Sequence, residues 1–146
     1  MFSENDFTAA SFDFIACFQT LEHIHRPDLL LETFSRLLVA DGIVYCVAHN
    51  FNTFGVRLLG INHPIVNAGH LTLFDMQTAR KMFDRYFDVL DVFPISNRYS
   101  LNYWLTLLPI NERGKQILSR GFRAVGLDKL PLTMNLGNMG IIARKR

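Results

Sequence analysis

The chain has 146 residues, of which 49% are hydrophobic and 19% are charged. This length and composition are typical of one globular domain and exclude an intrinsically disordered chain. The net charge of +2 is too small to indicate nucleic-acid binding. The sequence shows neither a secretory signal nor a long apolar run, so we expect a cytoplasmic protein without a membrane span.

A strand, a helix and a second strand are predicted in the first third of the chain. Residues 12–18 form a short apolar run rich in aromatic side chains, which favours a buried strand. In residues 28–39 apolar side chains recur every three or four positions, which indicates a helix that Asp41-Gly42 would end. Residues 43–48 are a second apolar run. Two such strands joined by a helix predict a parallel βαβ unit covered on both faces.

The remaining two thirds alternate between loops, helices and strands. Residues 50–74 show no periodicity and contain several glycines, which is typical of a functional loop or lid with one short helical turn at 57–60. Asp75 is a good N-cap for a helix that continues to residue 86. Residues 87–93 predict a third strand closed by Pro94, and 96–107 fit either a helix or a hydrophobic loop. A helix at 112–125 and a last strand at 139–143 complete the prediction.

The two cysteines, Cys17 and Cys46, each lie inside a predicted strand. A thiol in that position behaves as a small hydrophobic side chain, so we expect both to be buried and free. A disulfide would require the two strands to present the cysteines face to face.

A series of short motifs follows the first strand in a characteristic order. They are Ser11-Phe12-Asp13, Leu21-Glu22-His23, Pro27, Arg36-Leu37, Gly42 and Asn50, followed by the segments at 54–60 and 69–74. Their order and spacing resemble the C-terminal half of a class I S-adenosylmethionine-dependent methyltransferase. The glycine-rich motif of that family does not occur in the sequence, and we expect it to lie ahead of Met1.

The resemblance implies an α/β, partial Rossmann-like fold for residues 1–146, with residues 50–74 as a lid. The sheet would be mostly parallel, in the order first, second, last and third strand. The last strand would run antiparallel between its two neighbours.

The resemblance also implies that S-adenosylmethionine binds at the carboxyl ends of the first two strands, where open α/β sheets bind their ligands. Asn50 and His70 would contact the acceptor substrate. Glu22 and His23 are candidate catalytic residues, because a neutral imidazole can take a proton and a carboxylate can orient it. The cofactor-binding candidates are Glu4, Asp6, Phe7, Cys17, Phe18 and Gln19.

Structural interpretations of the same residues stay open. Glu22 can cap a helix, His23 can pack against the sheet, and the segment before the first strand can be a frayed tail. His23 and His25 are two residues apart, which is poor spacing for one helical face, so no metal site is predicted.

Two functions follow from these observations. The first is methyl transfer to a small-molecule acceptor. The second is a non-catalytic module whose exposed edge strand, residues 12–18, pairs with a complementary N-terminal half or with a second copy. Neither involves nucleic acid.

Overall fold

The computed structural model describes residues 6–63, 65–108 and 110–146. Two 3-10 turns, Leu21–His23 and Gly60–Asn62, occur among the helices and strands. None of the helices within these ranges is long and apolar enough to cross a membrane. The elements in chain order are β1 (Phe12–Phe18), α1 (Pro27–Leu37), β2 (Leu38–His49), α2 (Phe54–Leu59), α3 (Met76–Phe83), β3 (Phe87–Ser100), α4 (Leu101–Thr106), α5 (Glu112–Ala124) and β4 (Pro131–Lys145).

The four strands form one sheet in the order β1-β2-β4-β3. β1 and β2 are parallel, whereas β4 is antiparallel to both β2 and β3. The predicted α/β class and strand order are therefore confirmed. Three of the strands run in the same direction and β4 runs in the opposite one, so the expected strand directions are correct. Because β4 lies between β2 and β3, however, only the β1–β2 pairing is parallel, and the described sheet is mixed.

The hydrophobic core lies on one face of this sheet. Val44, Cys46 and Ala48 of β2 are fully buried and belong to one cluster with Leu31 of α1 and Phe83 of α3. Alternate residues of a strand point to opposite faces, so the two helices cover a single face of β2.

The first strand is less buried than its sequence predicts. Within β1 only Cys17 is buried, and the rings of Phe14 and Phe18 keep 55% and 58% of their surface exposed. The prediction of strands covered on both faces is wrong for β1. The physical reason is that β1 is the edge strand, and the helices of the core cluster pack on the other face.

The boundary between α1 and β2 also differs from the prediction. α1 ends at Leu37, and Leu38, which is fully buried, already has an extended backbone. The left-handed conformation belongs to Asp41, with a φ of 59°, and not to Gly42. Residues 39–42 instead form an irregularity inside β2, where the pairing with β1 shifts. A side chain at residue 42 would lie 3.0 Å from the Leu38 side chain.

The two last strands are much longer than their apolar runs. β3 has 14 residues and β4 has 15, and they pair with each other as far as Ser100 and Pro131. Pro94 lies inside β3, opposite Met139, and does not end the strand. Of the alternatives for residues 96–107, the structure shows strand up to Ser100 and then α4. The predicted helix α5 and the Asp75 N-cap, which accepts from Thr78 N at 2.7 Å, are confirmed.

Gly137 of β4 lies against the backbone of Asn50, the residue that follows β2. Its φ is 99°, its carbonyl accepts from Asn50 N at 2.6 Å, and an added Cβ would lie 3.0 Å from Asn50 O. Both the backbone conformation and the available space therefore require glycine at this position.

We expect Gly137→Ala to lower the free energy of unfolding by about 1–3 kcal/mol, because it combines an unfavourable φ with a backbone contact. Urea denaturation measures the change. The control is Gly121→Ala in α5, where nothing lies within 4 Å of the added Cβ and a gain of about 0.5–1 kcal/mol is expected. Equal effects of the two substitutions would contradict the prediction.

Candidate functional site

The carboxyl ends of β1 and β2 lie side by side. Phe18 pairs with Val47, and the backbone N–H of Gln19 donates to the Val47 carbonyl at 2.8 Å. β2 ends two residues later at His49. The side chains that follow both strands therefore share one edge of the sheet, as predicted for a parallel pair.

Gln19 is held in a left-handed conformation, with a φ of 47°. Its amide Nε2 donates to Asn138 Oδ1 at 3.3 Å, and the same oxygen accepts from His49 Nδ1 at 3.0 Å. The left-handed region is unfavourable for a residue other than glycine, and such residues are concentrated at functional sites. Asn138, on β4, thus connects the ends of the two parallel strands.

Glu22 is a buried carboxylate without a hydrogen bond. Only 1% of the residue is exposed, and neither carboxylate oxygen has a hydrogen-bond partner among the described residues. Its backbone carbonyl accepts from Leu71 N at 2.8 Å and from Thr72 N at 3.2 Å. The chain after His70 is therefore fixed to the turn that carries Glu22.

The imidazole rings of His49 and His70 lie close to this carboxylate, and the ring of His23 packs against that of His70. His49 Nε2 lies 3.7 Å from Glu22 Oε1, beyond hydrogen-bond range. The ring of His70 lies between those of His23 and His49, with centroid distances of 4.8 and 4.9 Å. We refer to His23, His49 and His70 as the histidine cluster.

Each ring of the histidine cluster has its Nδ1 beside an oxygen acceptor. His23 faces the Gly69 carbonyl at 2.7 Å, His49 faces Asn138 Oδ1, and His70 faces the Ile65 carbonyl. An imidazole that donates through Nδ1–H carries its lone pair on Nε2 when it is neutral. These contacts favour the lone pair of each neutral ring on Nε2. For His70 the Asn67 amide nitrogen also lies 3.3 Å from Nδ1, but the Ile65 carbonyl, which can only accept, is the nearer partner.

Burial lowers the pKa of His49 below its ordinary value, and the nearby Glu22 carboxylate opposes that shift only in part. His49 is therefore neutral near pH 7. In this form its Nε2 has no proton to share with Glu22, which explains why the buried carboxylate lacks a hydrogen bond on that side.

A pocket of 250 Å³ opens beside His49. His63 is 3% exposed, and its Nδ1 accepts from Ile65 N at 3.2 Å, so it stabilises the wall of the pocket. The polar side chains of His49, His63 and Asn138 line a cavity that is otherwise mainly apolar. The full lining is His49, Leu59, His63, Ile65, Trp104, Leu107, Leu108, Met134 and Asn138.

Of the predicted substrate and catalytic residues, the structure brings together Glu22, His23 and His70 but not Asn50. Asn50 is 7% exposed, and its Oδ1 accepts from Asn52 N at 3.0 Å. That oxygen therefore stabilises a turn, and a role for Asn50 in substrate binding stays a prediction.

The predicted cofactor residues fall into two groups. The ring of Phe7 packs edge-on against Phe12 at the amino end of β1, with a centroid distance of 5.5 Å. Phe18 and Gln19 lie at the other end, roughly 20 Å away for a seven-residue strand. Asp6 is exposed next to Phe7, and Glu4 lies outside the described residues. Cofactor binding by Glu4, Asp6 and Phe7 stays a prediction.

The two cysteines are buried and free, as predicted. Cys17 and Cys46 are direct partners in the pairing of β1 with β2, so the strands do present them side by side. A hydrogen bond with the Cys46 thiol lowers the pKa of Cys17 to about 7, against the opposing effect of burial. Whether Cys17 contacts a cofactor stays a prediction.

Two residues of the site were not predicted from the sequence. His49 directly follows the second apolar run, so its place at the carboxyl end of a parallel strand was a usable signal. Asn138 lies on the antiparallel strand 89 residues further along the chain, and no local pattern indicates that it contacts His49.

Comparison with known proteins adds a family match. Residues 2–90 match the model of a family described as methyltransferase domain. The chain is similar to a SAM-dependent methyltransferase structure from Archaeoglobus fulgidus, with a TM-score of 0.59 and 14% identity over 97% of this chain and 63% of that one. It is also similar to the YcgJ protein from Bacillus subtilis, with a TM-score of 0.55 and 18% identity over 96% of this chain and 66% of that one.

A third similar structure is a complex of the Haloferax volcanii Trm112 methyltransferase activator with a protein described as a methyltransferase. Here the TM-score is 0.57, with 14% identity over 95% of this chain and 56% of that one. The chain thus spans 56–66% of the length of these three proteins. No curated protein matches the chain. At these identities the structural similarity establishes the fold alone.

Glu22, His49 and His70 could together hold a metal ion, so stability is compared without metal ions. We expect Glu22→Gln to raise the free energy of unfolding by about 1–3 kcal/mol, because a neutral amide replaces a buried carboxyl group that has no hydrogen bond among the described residues. The new amide can also donate to His49 Nε2. Denaturant unfolding in the presence of a chelator measures the change.

The matched control is Glu112→Gln, at a side chain that is 81% exposed, where the change should be roughly 0.5 kcal/mol or less. A loss of stability in Glu22→Gln would contradict the prediction.

Proposed function

We propose that this chain, which belongs to the methyltransferase domain family, takes part in S-adenosylmethionine-dependent methyl transfer to a small-molecule acceptor. The predicted class I methyltransferase family is confirmed by the match over residues 2–90, and S-adenosylmethionine is the cofactor of that family. Because the chain spans only part of the similar structures, its own activity, acceptor and partners are proposals.

One observation carries the proposal. Asn138 Oδ1 accepts hydrogen bonds from Gln19, at the end of β1, and from His49, at the end of β2. His49 and Asn138 also line the apolar pocket. The end of β1 and the pocket are therefore connected through two hydrogen bonds, which suits a reaction that requires donor and acceptor to be held in line.

The residues at the end of β1 fit the methionine part of the cofactor. Phe18 offers a ring that is 58% exposed, and Gln19 offers an amide whose backbone conformation is fixed. The bound cofactor supplies a methyl group that its positively charged sulfur has already activated. The protein then has to position the acceptor, exclude water and accept a proton.

His23 is the proposed base. It is exposed, and its Nδ1–H donates to the Gly69 carbonyl, so the Nε2 lone pair remains for a proton from an acceptor hydroxyl or amine. Glu22 is the proposed charge partner of the cluster, since a buried carboxylate favours positive charge on the adjacent rings. His70, whose ring contacts both of the others, is the proposed residue on the acceptor side.

The pocket indicates the class of acceptor. At 250 Å³ it accommodates one small ring or a short alkyl chain, and Trp104, Leu107 and Leu108 make its wall apolar. We therefore propose an acceptor with an apolar body and one hydroxyl or amino group.

A second function is favoured by the exposed edge strand. Phe14 and Phe18 expose more than half of their surface on β1, and an unpaired strand edge is a template for another chain. One similar structure is a complex of a methyltransferase activator with its partner protein. In this alternative the chain pairs with another polypeptide and catalyses nothing alone. A cytoplasmic location stays a prediction from the sequence.

We expect the purified chain to bind S-adenosylmethionine in a calorimetric titration, and Gln19→Ala to weaken binding by roughly tenfold, the effect of one lost hydrogen bond. Gln77→Ala, at an exposed position of α3, is the control and should leave the affinity unchanged. No binding at millimolar cofactor would exclude a self-sufficient enzyme and favour the pairing module. Equal affinities of wild type and Gln19→Ala would remove Gln19 from the site.

Trp104, the single tryptophan of the chain, lines the pocket and can report its occupancy. We expect phenol to change the emission of Trp104 excited at wavelengths that phenol does not absorb. Leu59→Phe should weaken this response by roughly tenfold because the larger ring fills the cavity. Leu58→Phe, in the same helix but 70% exposed, is the control. The pocket assignment is wrong if both variants respond like the wild type.

A further inference from the structure

We infer that Glu22, His49 and His70 form a binding site for one divalent transition-metal ion, best matched by Zn²⁺. The inference rests on the proposed function only in placing the ion beside the acceptor pocket. The site itself follows from the donor atoms, their hydrogen bonds and the buried charge.

The first argument is the spacing of the donor atoms. One ligand atom from each of the three residues lies within 4.8 Å of the other two. Glu22 Oε1 and His49 Nε2 are 3.7 Å apart. Zinc with bonds of about 2.1 Å in a tetrahedral site separates its donors by about 3.4 Å, so side-chain adjustments of about an ångström complete the geometry.

The second argument is the support of the two imidazoles. A histidine that binds a metal through one nitrogen usually donates its other N–H to a carbonyl or carboxylate, which fixes the ring and its tautomer. His49 Nδ1 has this contact with Asn138 Oδ1 at 3.0 Å, and His70 Nδ1 has it with the Ile65 carbonyl. Both rings are therefore prepared to offer Nε2 to an ion.

The third argument is electrostatic. Glu22 is 1% exposed, and neither of its carboxylate oxygens has a hydrogen-bond partner among the described residues. A buried carboxyl group in this state costs free energy unless a partner compensates it. A cation held by Glu22, His49 and His70 would supply that partner, and His49 Nε2, 3.7 Å from Glu22 Oε1, is placed to share it.

The chemistry of the ligands identifies the kind of ion. Two imidazole nitrogens and one carboxylate oxygen suit Zn²⁺ and its neighbours in the first transition row, and disfavour Ca²⁺ and Mg²⁺. Sites with three protein ligands leave a fourth position for water or substrate. His49 lines the acceptor pocket, so the open position would face the acceptor, with the His23 ring next to His70.

The spacing of His23 and His25 alone predicts no metal site. The inferred ligands instead come from three separate parts of the chain: the turn after β1, the end of β2 and the loop before α3. Their proximity is a property of the folded protein, so no short motif indicates it.

The experiment is a titration of the chelator-treated full chain with Co²⁺ alone, followed by its visible absorption, and with Zn²⁺ in competition with a chromogenic chelator. We expect one ion per chain and a rise in melting temperature on addition of Zn²⁺. Glu22→Gln and His70→Asn should each weaken binding at least about tenfold and abolish the thermal shift. His25→Asn, at an exposed histidine outside the site, should bind like the wild type.

The inference is overturned if no ion binds at millimolar metal, or if Glu22→Gln and His70→Asn bind as tightly as His25→Asn. Misfolding does not obscure the result, because Glu22→Gln is expected to be the more stable protein. Neither cofactor nor acceptor is present, so the outcome is independent of the proposed function. If the chain binds metal but not S-adenosylmethionine, the metal site is retained and the proposed methyl transfer by this chain is rejected. If it binds S-adenosylmethionine but no metal, the metal site is rejected and the proposed function is retained.

Discussion

The buried carboxylate of Glu22 is the constraint on which the candidate site depends. The Glu22 carbonyl fixes the chain at Leu71 and Thr72, and the Glu22 side chain lies beside His49 and His70 with no hydrogen bond to any residue that the structure describes. Such a group costs stability, so a protein retains it where charge is useful. A metal ion and a protonated imidazole would each supply the positive charge that this carboxylate lacks, and the imidazole can take its proton from a methyl acceptor.

The sheet places these groups by its mixed strand directions. The parallel pair β1 and β2 brings Gln19 and His49 to one edge, and the antiparallel β4 inserts Asn138 between them. Gly137 allows β4 to approach Asn50 closely enough for a 2.6 Å hydrogen bond. The antiparallel strand β4 is therefore part of the candidate site. A parallel strand in its place would bring its opposite end to this edge of the sheet.

Part of this arrangement could be predicted before the fold was known. The helix–strand alternation, the Asp75 N-cap and α5 follow from local periodicity and capping, and the strand order follows from the family resemblance. Glu22, His23 and His70 were also predicted to share the site. His49 and Asn138 were not, since their significance comes from contacts between residues 89 positions apart.

The sequence by itself determined the class of the fold, the family and the strand ends at which the candidate site lies, because these depend on periodicity, caps and ordered motifs within short segments. Only the tertiary structure decided how far β3 and β4 extend, since their pairing with each other overrides local propensity and even carries Pro94 inside a strand. It also decided that β1 is exposed and that Glu22, His49 and His70, from three separate parts of the chain, lie close together. Burial and cross-strand contact are non-local quantities, and a chain acquires them only when it folds.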